Sequence, residues 1–567
     1  MRRQRIHLRA RLLTTGFVAA LVGATAIVPL VGGSGPREVI AITPIAIDAS
    51  PTTVAIADSD TFGMTQADVD RTMNAIKASN VDSVRLFIPW AGVEATQGQL
   101  DWTAIDKTVN SAAARGLAVV GIVNSTPAWA VAPGGQYLSS RPASPAVYAD
   151  FVGKVASRYL GKISALEIWN EPNAVTFYTP KPDAAGYVDL LRAAYPVVKS
   201  IDPSITVIGG VLGSIVDFGD IAINPVTYTR QMYAAGAKGY FDAFSFHPYH
   251  YSLKFSDGVT VANSPVQQLI QMRLIMVENG DGNKKIWSTE YGEPASSGGI
   301  AQQTAYVTDM LTKWQELPYV GPMYIYTTRD RNTGSVNSED TLGIYQTDWT
   351  AKPVQAVVAS AAAGGLSKAP EYQRFSTVTD PALGTILSPV YRATPQVWAQ
   401  IRTVRTIFET PSGFITSPNP VADKARSYGV APKSEFTDGY QDFDHQYGLR
   451  IWYSEQTCAR AAGGGIAGAW TPDLGLAVSD EMSGAGGSQM KFEHGTITWS
   501  ALGGATVTRV ENPIPTSCQN SGGGTPGGGT PGGGYPGPDP GLASPLLAVL
   551  ELLTNILSLP GRLLAPQ

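Results

Sequence analysis

The chain has 567 residues, of which 44% are hydrophobic and only 15% charged, with 60 Gly, 40 Pro and a formal net charge of -5. One hydrophobic core rarely grows past roughly 250–300 residues, so more than one domain is expected. The mildly acidic balance excludes nucleic-acid binding by bulk electrostatics, and five His with no Cys-x-x-Cys argue against a metal site.

At the N-terminus Arg2, Arg3, Arg5, Arg9 and Arg11 precede an apolar stretch over 12–31, and Ala24-Thr25-Ala26 offers an A-x-A-like cleavage site. Residues 1–33 are expected to be a signal peptide. The alternative is an uncleaved anchor, since 12–32 is just long enough to span a bilayer. Without the five arginines the rest of the chain carries about -10.

From about 50 to 365, strand-like and helix-like segments alternate. The expected strands cover 53–57, 81–89, 117–124, 163–170, 205–212, 241–248, 285–290 and 322–327. Helical patterns lie between them, with starts signalled by Thr65, by Ser144-Pro145 and by Pro182. Eight strand–helix units in this length predict an α/β fold, a (β/α)8 TIM barrel.

Two of these strands end in an acid. One segment reads Glu167-Ile168-Trp169-Asn170-Glu171-Pro172, the other Ile286-Trp287-Ser288-Thr289-Glu290-Tyr291-Gly292. A barrel strand delivers catalytic groups at its C-terminal end, and two facing carboxylates are the minimum equipment for cleaving a glycosidic bond. Asn170 places an amide beside Glu171, where it can bond the hydroxyl next to the reacting carbon as charge develops. Trp287 is expected on the approach to the site, and Gly292 is expected to leave room for the sugar.

Trp169-Asn170-Glu171-Pro172 and Trp287-Ser288-Thr289-Glu290-Tyr291-Gly292 resemble the signatures of clan A retaining glycoside hydrolases, most like family 39, with family 5 second. The resemblance spans about 55 to 360. It implies Glu171 as acid/base at the fourth strand and Glu290 as nucleophile at the seventh. It further implies Arg85 as support for the nucleophile carboxylate, with His247 and Tyr249 flanking it. Trp90, Glu94, Gly98 and Trp102 resemble the segment after the second strand, and Pro127 with Trp129 the turn after the third. Where the pattern offers a Trp platform at the eighth strand, this chain has Tyr324-Ile325-Tyr326-Thr327. Trp129 and Tyr326 are divided between sugar platform and core packing. No cofactor and no metal are implied.

The texture over 366–520 changes to short Gly-punctuated segments, read as a smaller, mainly β or irregular repeat module. Tyr428-Gly429-Val430-Ala431 is echoed 46 residues later by Leu474-Gly475-Leu476-Ala477, the sign of a small repeating unit. Tyr372-Gln373-Arg374-Phe375 is expected to close an earlier copy, matching Tyr440-Gln441-Asp442-Phe443. The region resembles the LGFP repeats of actinobacterial cell-envelope proteins, which implies contact with a cell-wall polymer. Cys458 and Cys518, the only cysteines, are expected to form one disulfide in an exported protein. A Gly/Pro-rich linker over 521–543 leads to an apolar C-terminal segment over 544–567, whose 14-residue apolar run, 546–559, is too short to span a membrane. That segment is expected either to touch a lipid surface or to be a tail with no partner.

The sequence thus predicts a secreted, cell-envelope-associated retaining glycosidase acting on an extracellular or cell-wall polysaccharide by double displacement. Two alternatives stay open: a non-catalytic wall-polysaccharide binder, and a transglycosylase using the same site.

Overall fold

The computed structural model describes residues 45–515 and 518, apart from 485. The expected signal peptide, the linker and the apolar C-terminal segment lie outside them. Strands β1 (Val54–Asp58), β2 (Ser83–Pro89), β3 (Ala118–Asn124), β4 (Ile163–Ile168), β5 (Thr206–Gly213), β6 (Ala243–His247), β7 (Ile286–Tyr291) and β8 (Val320–Tyr326) close into one parallel barrel in sequence order. The closing pair sets Ile56 of β1 beside Ile325 of β8. This is the TIM barrel that the alternating segments predict.

The helices are α1 (Gln66–Ala78), a short α2 (Trp90–Val93), α3 (Thr103–Ala114), α4 (Pro145–Arg158), α5 (Ala184–Ile201), α6 (Pro225–Ala234), α7 (Pro265–Glu278), α8 (Ala295–Trp314) and α9 (Pro353–Ala362). Their starts follow from capping chemistry. Thr65, Ser144, Asp183, Asn224 and Ser264 each accept a backbone N–H of the first turn, and Pro follows Ser144, Asn224 and Ser264 where its missing N–H costs nothing. Helix α8 begins earlier than its apolar pattern suggests. It is two helices merged across a break at Gly298 and Gly299, where Gly299 has φ 83°. Among the described residues no helix is long and apolar enough to cross a membrane.

Strand residues of one parity face the helices. Val84, Leu86 and Ile88 of β2 and Leu166 and Ile168 of β4 join the large core there. The other parity fills the barrel with small residues and a few large ones: Ala55, Ala57, Ala165, Ala243, Trp287 and Tyr324. Trp287 is therefore barrel filling rather than a wall of the approach, its indole lying against Gly321, whose missing side chain leaves it space.

The remainder is built from three similar units. The first contains α10 (Pro370–Ser376) and the antiparallel sheet of β9 (Tyr391–Thr394), β10 (Val397–Ile401), β11 (Arg405–Thr410) and β12 (Gly413–Pro418). The second has α11 (Asn419–Ser427) with β13 (Tyr440–Phe443), β14 (Leu449–Trp452) and β15 (Arg460–Gly463). The third has α12 (Gly464–Ala469) with β16 (Met482–Gly484), β17 (Gly487–Phe492), β18 (Gly495–Ser500) and β19 (Gly504–Arg509). Gly384, Gly429 and Gly475, about 45 residues apart, each turn the chain at positive φ after the unit's helix. A bridge follows in every unit: Ile386 with Arg402, Pro432 with Phe443, Ala477 with Phe492. The earlier copy is thus anchored at Leu383-Gly384. Tyr372–Phe375 do not close it, because they lie in α10 whereas Tyr440–Phe443 form a strand. Aromatic similarity of the two tetrapeptides misled the comparison, since neither has enough periodicity to separate helix from strand.

The first unit is fused to the barrel. Leu387, Tyr391, Val397 and Ile401 share the barrel's outer core, Tyr319 donates to the Leu387 carbonyl at 2.6 Å, and the Val390 N–H donates to Glu316 at 2.8 Å. A core separate from the barrel's joins Trp452 of the second unit to Trp470 and Phe492 of the third. Cys458 and Cys518 are disulfide-linked.

Candidate active site

The functional side chains meet at the C-terminal mouth of the barrel. Strand β4 stops at Ile168, two residues before the expected end, because Trp169 takes a left-handed backbone (φ 71°). Glu171 follows in the turn, also at positive φ (41°). A bulge in β5, with Gly210 and Val211 at positive φ, aims the Val211 carbonyl at the Glu171 N–H, 2.9 Å away. Asn173 accepts the Gly213 N–H at 3.0 Å and donates to the Gly213 carbonyl at 3.0 Å, tying the turn to β5. A Cβ on Gly213 would come within 3.1 Å of the Glu171 carboxyl carbon, so glycine is what leaves the acid its place.

Glu290 stands within β7 and is held from two sides. Arg85 donates through Nη1 to Glu290 Oε1 at 2.5 Å, and Tyr249 donates to Oε2 at 3.1 Å. Arg85 also donates through Nε to Glu167 at 2.6 Å and through Nη2 to Asn170 at 3.0 Å. Burial raises the Glu290 pKa, but the charge of Arg85, then that of His247 when protonated and the Tyr249 hydrogen bond, outweigh it and leave the carboxyl below its ordinary value. Glu290 is therefore ionised at neutral pH.

His247, the last residue of β6, is fully buried. Its Nδ1 lies 2.8 Å from Glu171 Oε1 and 3.9 Å from Glu290 Oε2. One carboxylate oxygen from each glutamate and the imidazole nitrogen all fall within 4.8 Å of one another. The two carboxyls keep 18% and 14% side-chain exposure, so both reach the cleft.

Six expected site residues, Arg85, Asn170, Glu171, His247, Tyr249 and Glu290, are thus gathered into one network. Trp129 and Tyr326 are placed otherwise. Trp129 packs edge-on against Trp90 at 5.3 Å and donates to the Glu94 carbonyl. The Tyr326 ring lies in the barrel cluster, and its hydroxyl accepts from Arg331 at 3.0 Å. Glu94 accepts both the Trp90 indole N–H and the Gly98 N–H at 2.9 Å, and Trp102 stacks on Phe151, so this segment forms a structural corner. Gly292 does not make room for a sugar. A Cβ there would lie 2.1 Å from the Tyr326 carbonyl oxygen, so its smallness admits the neighbouring backbone.

Sequence reasoning missed Glu167, although a lone acid at inward parity in an apolar strand was a usable signal. It also missed Glu339, on the loop between β8 and α9. Burial pushes that carboxyl up to about 7, against Arg331 and with help from Glu290 and Glu171. No sequence spacing points to this loop.

The barrel and its acidic cluster resemble the (β/α)8 fold of clan A glycoside hydrolases. The family model described as Cellulase (glycosyl hydrolase family 5) matches residues 47–321. Similar solved structures include a family 39 glycoside hydrolase from the gut symbiont Bacteroides cellulosilyticus WH2, at 16% identity over 75% of this chain and 81% of that one, TM-score 0.47. A GH5_18 protein from Streptomyces cattleya in complex with GlcNAc shows 16% identity over 60% and 84%, TM-score 0.45. A monomeric beta-xylosidase from Caulobacter crescentus CB15 shows 14% identity over 64% and 74%, TM-score 0.44. No curated protein matches the chain.

Proposed function

We propose that the protein is a retaining glycosidase that cleaves an O-glycosidic bond of an extracellular or cell-wall polysaccharide by double displacement. The observation that carries this reading is the approach of a Glu171 and a Glu290 oxygen to within 4.8 Å. A retaining pair stands about 5–5.5 Å apart, whereas inversion needs about 6.5–9.5 Å to admit a water between the carboxyls. The environments divide the roles. Glu290, ionised and held by Arg85 and Tyr249, attacks the anomeric carbon. Glu171 protonates the departing oxygen. It then takes a proton from the water that releases the sugar, restoring both groups. Asn170, with its carbonyl occupied by Arg85, has its amide N–H groups free for a sugar hydroxyl. The repeat units would hold the enzyme on the polymer.

The test is hydrolysis of aryl β-glycosides and envelope polysaccharides by wild type, Glu171→Ala and Glu290→Ala, with azide added. A β-glycosyl azide from Glu171→Ala and an α-azide from Glu290→Ala establish the roles. Polymer binding without cleavage across the panel would instead favour the non-catalytic binder, and sugar products longer than the substrate the transglycosylase.

A further inference from the structure

We infer that Ser245 and Thr289 are positioning residues that fix the tautomer of His247 and thereby assign the catalytic proton to a single oxygen of Glu171. The inference rests on the acid/base role proposed for Glu171, but its first measurement does not.

Four side chains form a hydrogen-bonded row from inside the barrel to its mouth. Ser245 Oγ lies 2.6 Å from Thr289 Oγ1, Thr289 Oγ1 3.0 Å from His247 Nε2, and His247 Nδ1 2.8 Å from Glu171 Oε1. Ser245, Thr289 and His247 have no exposed surface. A neutral imidazole offers one donor and one acceptor nitrogen, and each hydroxyl has one proton to give. With the imidazole neutral, the row can therefore run in only two directions. In one, Ser245 donates to Thr289, Thr289 donates to Nε2, and Nδ1–H donates to Glu171 Oε1. In the other, a proton on Glu171 Oε1 donates to Nδ1, Nε2–H donates to Thr289, and Thr289 donates to Ser245.

Ser245 decides between them. Thr289 is the sole hydrogen-bond partner of its hydroxyl among the described residues. In the second direction the Ser245 proton would be buried with no acceptor, which costs free energy that the first direction avoids. The row therefore runs outward and ends in Nδ1–H on Glu171 Oε1. That oxygen stays an acceptor in both half-reactions, so the transferable proton sits on Oε2. In the first half-reaction the Oε2–H bond breaks as the leaving oxygen gains the proton. In the second, the attacking water re-forms it. The imidazole proton moves in neither. Without the row, the proton could settle on Oε1, turned toward His247 and away from the cleft.

The test is tautomer assignment by two-bond proton–nitrogen correlation NMR on histidine-labelled protein, with the His247 signal identified by its loss in His247→Asn. The expected wild type carries its proton on Nδ1 with Nε2 bare. Thr289→Val should mix the tautomers and lower kcat roughly tenfold at nearly constant KM, with Thr289→Ser restoring both. A wild-type His247 protonated on Nε2, or a folded Thr289→Val with unchanged tautomer and kcat, overturns the inference. If Thr289→Val does not fold, Ser245→Ala takes its place, and the expected mixing of tautomers supports the inference while an unaltered one overturns it. A wild type with the expected tautomer that cleaves no glycoside would defeat the hydrolase reading while leaving the tautomer assignment standing.

Discussion

Arg85 joins Glu290 to Glu167 through one guanidinium, its Nη1 2.5 Å from the first and its Nε 2.6 Å from the second. Arg85 and Glu167 have at most 1% side-chain exposure, so neither charge is tolerable alone. The arrangement matters through the proposed cycle. When Glu290 becomes a neutral ester, Arg85 loses its partner there, and Glu167 still balances the buried cation. A lysine at position 85 supplies charge at one point and cannot reach Glu290, Glu167 and Asn170 together. Arg85→Lys is expected to fold, as judged by circular dichroism, and to lose about 10²–10³ in kcat. Near-wild-type turnover would remove Arg85 from the machinery.

Tyr249 gives a milder handle on the same carboxylate. Its hydroxyl donates to Glu290 Oε2 at 3.1 Å, one of the contacts that hold this pKa down against burial. Tyr249→Phe removes that contact and keeps the ring. Without it the ionised form is less favoured, so the pKa rises and the acid limb of kcat/KM moves to higher pH. The loss at the optimum should be about tenfold, the value of a hydrogen bond to a charged group. A pH–rate series on wild type and variant checks both.

Gly213 tests whether the position of Glu171, and not only its presence, matters. A methyl there meets the carboxyl carbon at 3.1 Å, so the acid must give way by a few tenths of an ångström. Gly213→Ala is expected to leave Tm close to wild type while kcat falls about tenfold, since misplacement by a full ångström can cost about 10²-fold. A large fall in Tm would show that the turn itself, and not the acid, absorbs the methyl.

The barrel was legible because its strands are apolar runs with sharp ends and its helices open with Ser-Pro or Asn-Pro pairs. The two glutamates were legible because each stands at the end of such a run or just beyond it. What the sequence concealed depends on parity and on contacts between distant elements. Trp287 precedes the nucleophile by three residues but points into the filled barrel. Gly292 reads as open space until the Tyr326 carbonyl is seen to occupy it. Glu339 feels the charge of both glutamates from a loop that carries no periodic pattern. The first repeat unit hid because Leu383-Gly384 is followed by a sequence with little likeness to the later copies, although the backbone turns alike at all three glycines.

Glu171, His247 and Glu290 also form a set of ligand atoms that could hold a cation, which makes metal dependence a fair question. Glu290 already has its countercharge in Arg85, and the proposed steps use proton transfer and a carboxylate nucleophile alone. Activity is expected to survive exhaustive dialysis against EDTA unchanged. Added Zn²⁺ is expected to inhibit in competition with substrate by occupying these three groups. Loss of activity on chelation, restored by a metal, would contradict the double-displacement reading.

Glu293 gives stability a pH dependence of predictable sign. It is buried after β7, with Oε1 accepting from Gln302 at 2.9 Å and Oε2 unpaired, and burial pushes its pKa up to about 8. The folded chain then holds a proton that the unfolded chain releases near pH 4.5. The stabilisation is full below that value and is lost as pH rises toward 8, at no more than about 1.4 kcal/mol per pH unit. Glu293→Gln, neutral throughout, should flatten this slope in thermal melts between pH 5 and 8. Parallel slopes for the two proteins would show that Glu293 ionises freely in the folded state.

The disulfide bears on the third repeat unit and not on the chemistry. Cys458 and Cys518 are 60 residues apart, and closing a loop of that length restricts the unfolded chain by about 4 kcal/mol in the entropic treatment. Most of that loop is the third unit, whose core around Trp470 and Phe492 is distinct from the barrel's. Cys458→Ser should therefore lower the melting transition of the repeat module and leave turnover of a small, soluble aryl glycoside unchanged. Calorimetry alongside that assay separates the two effects. If activity on the soluble substrate falls together with the module's transition, the third unit contributes to the fold of the active site, and the independence inferred from the separate cores is wrong.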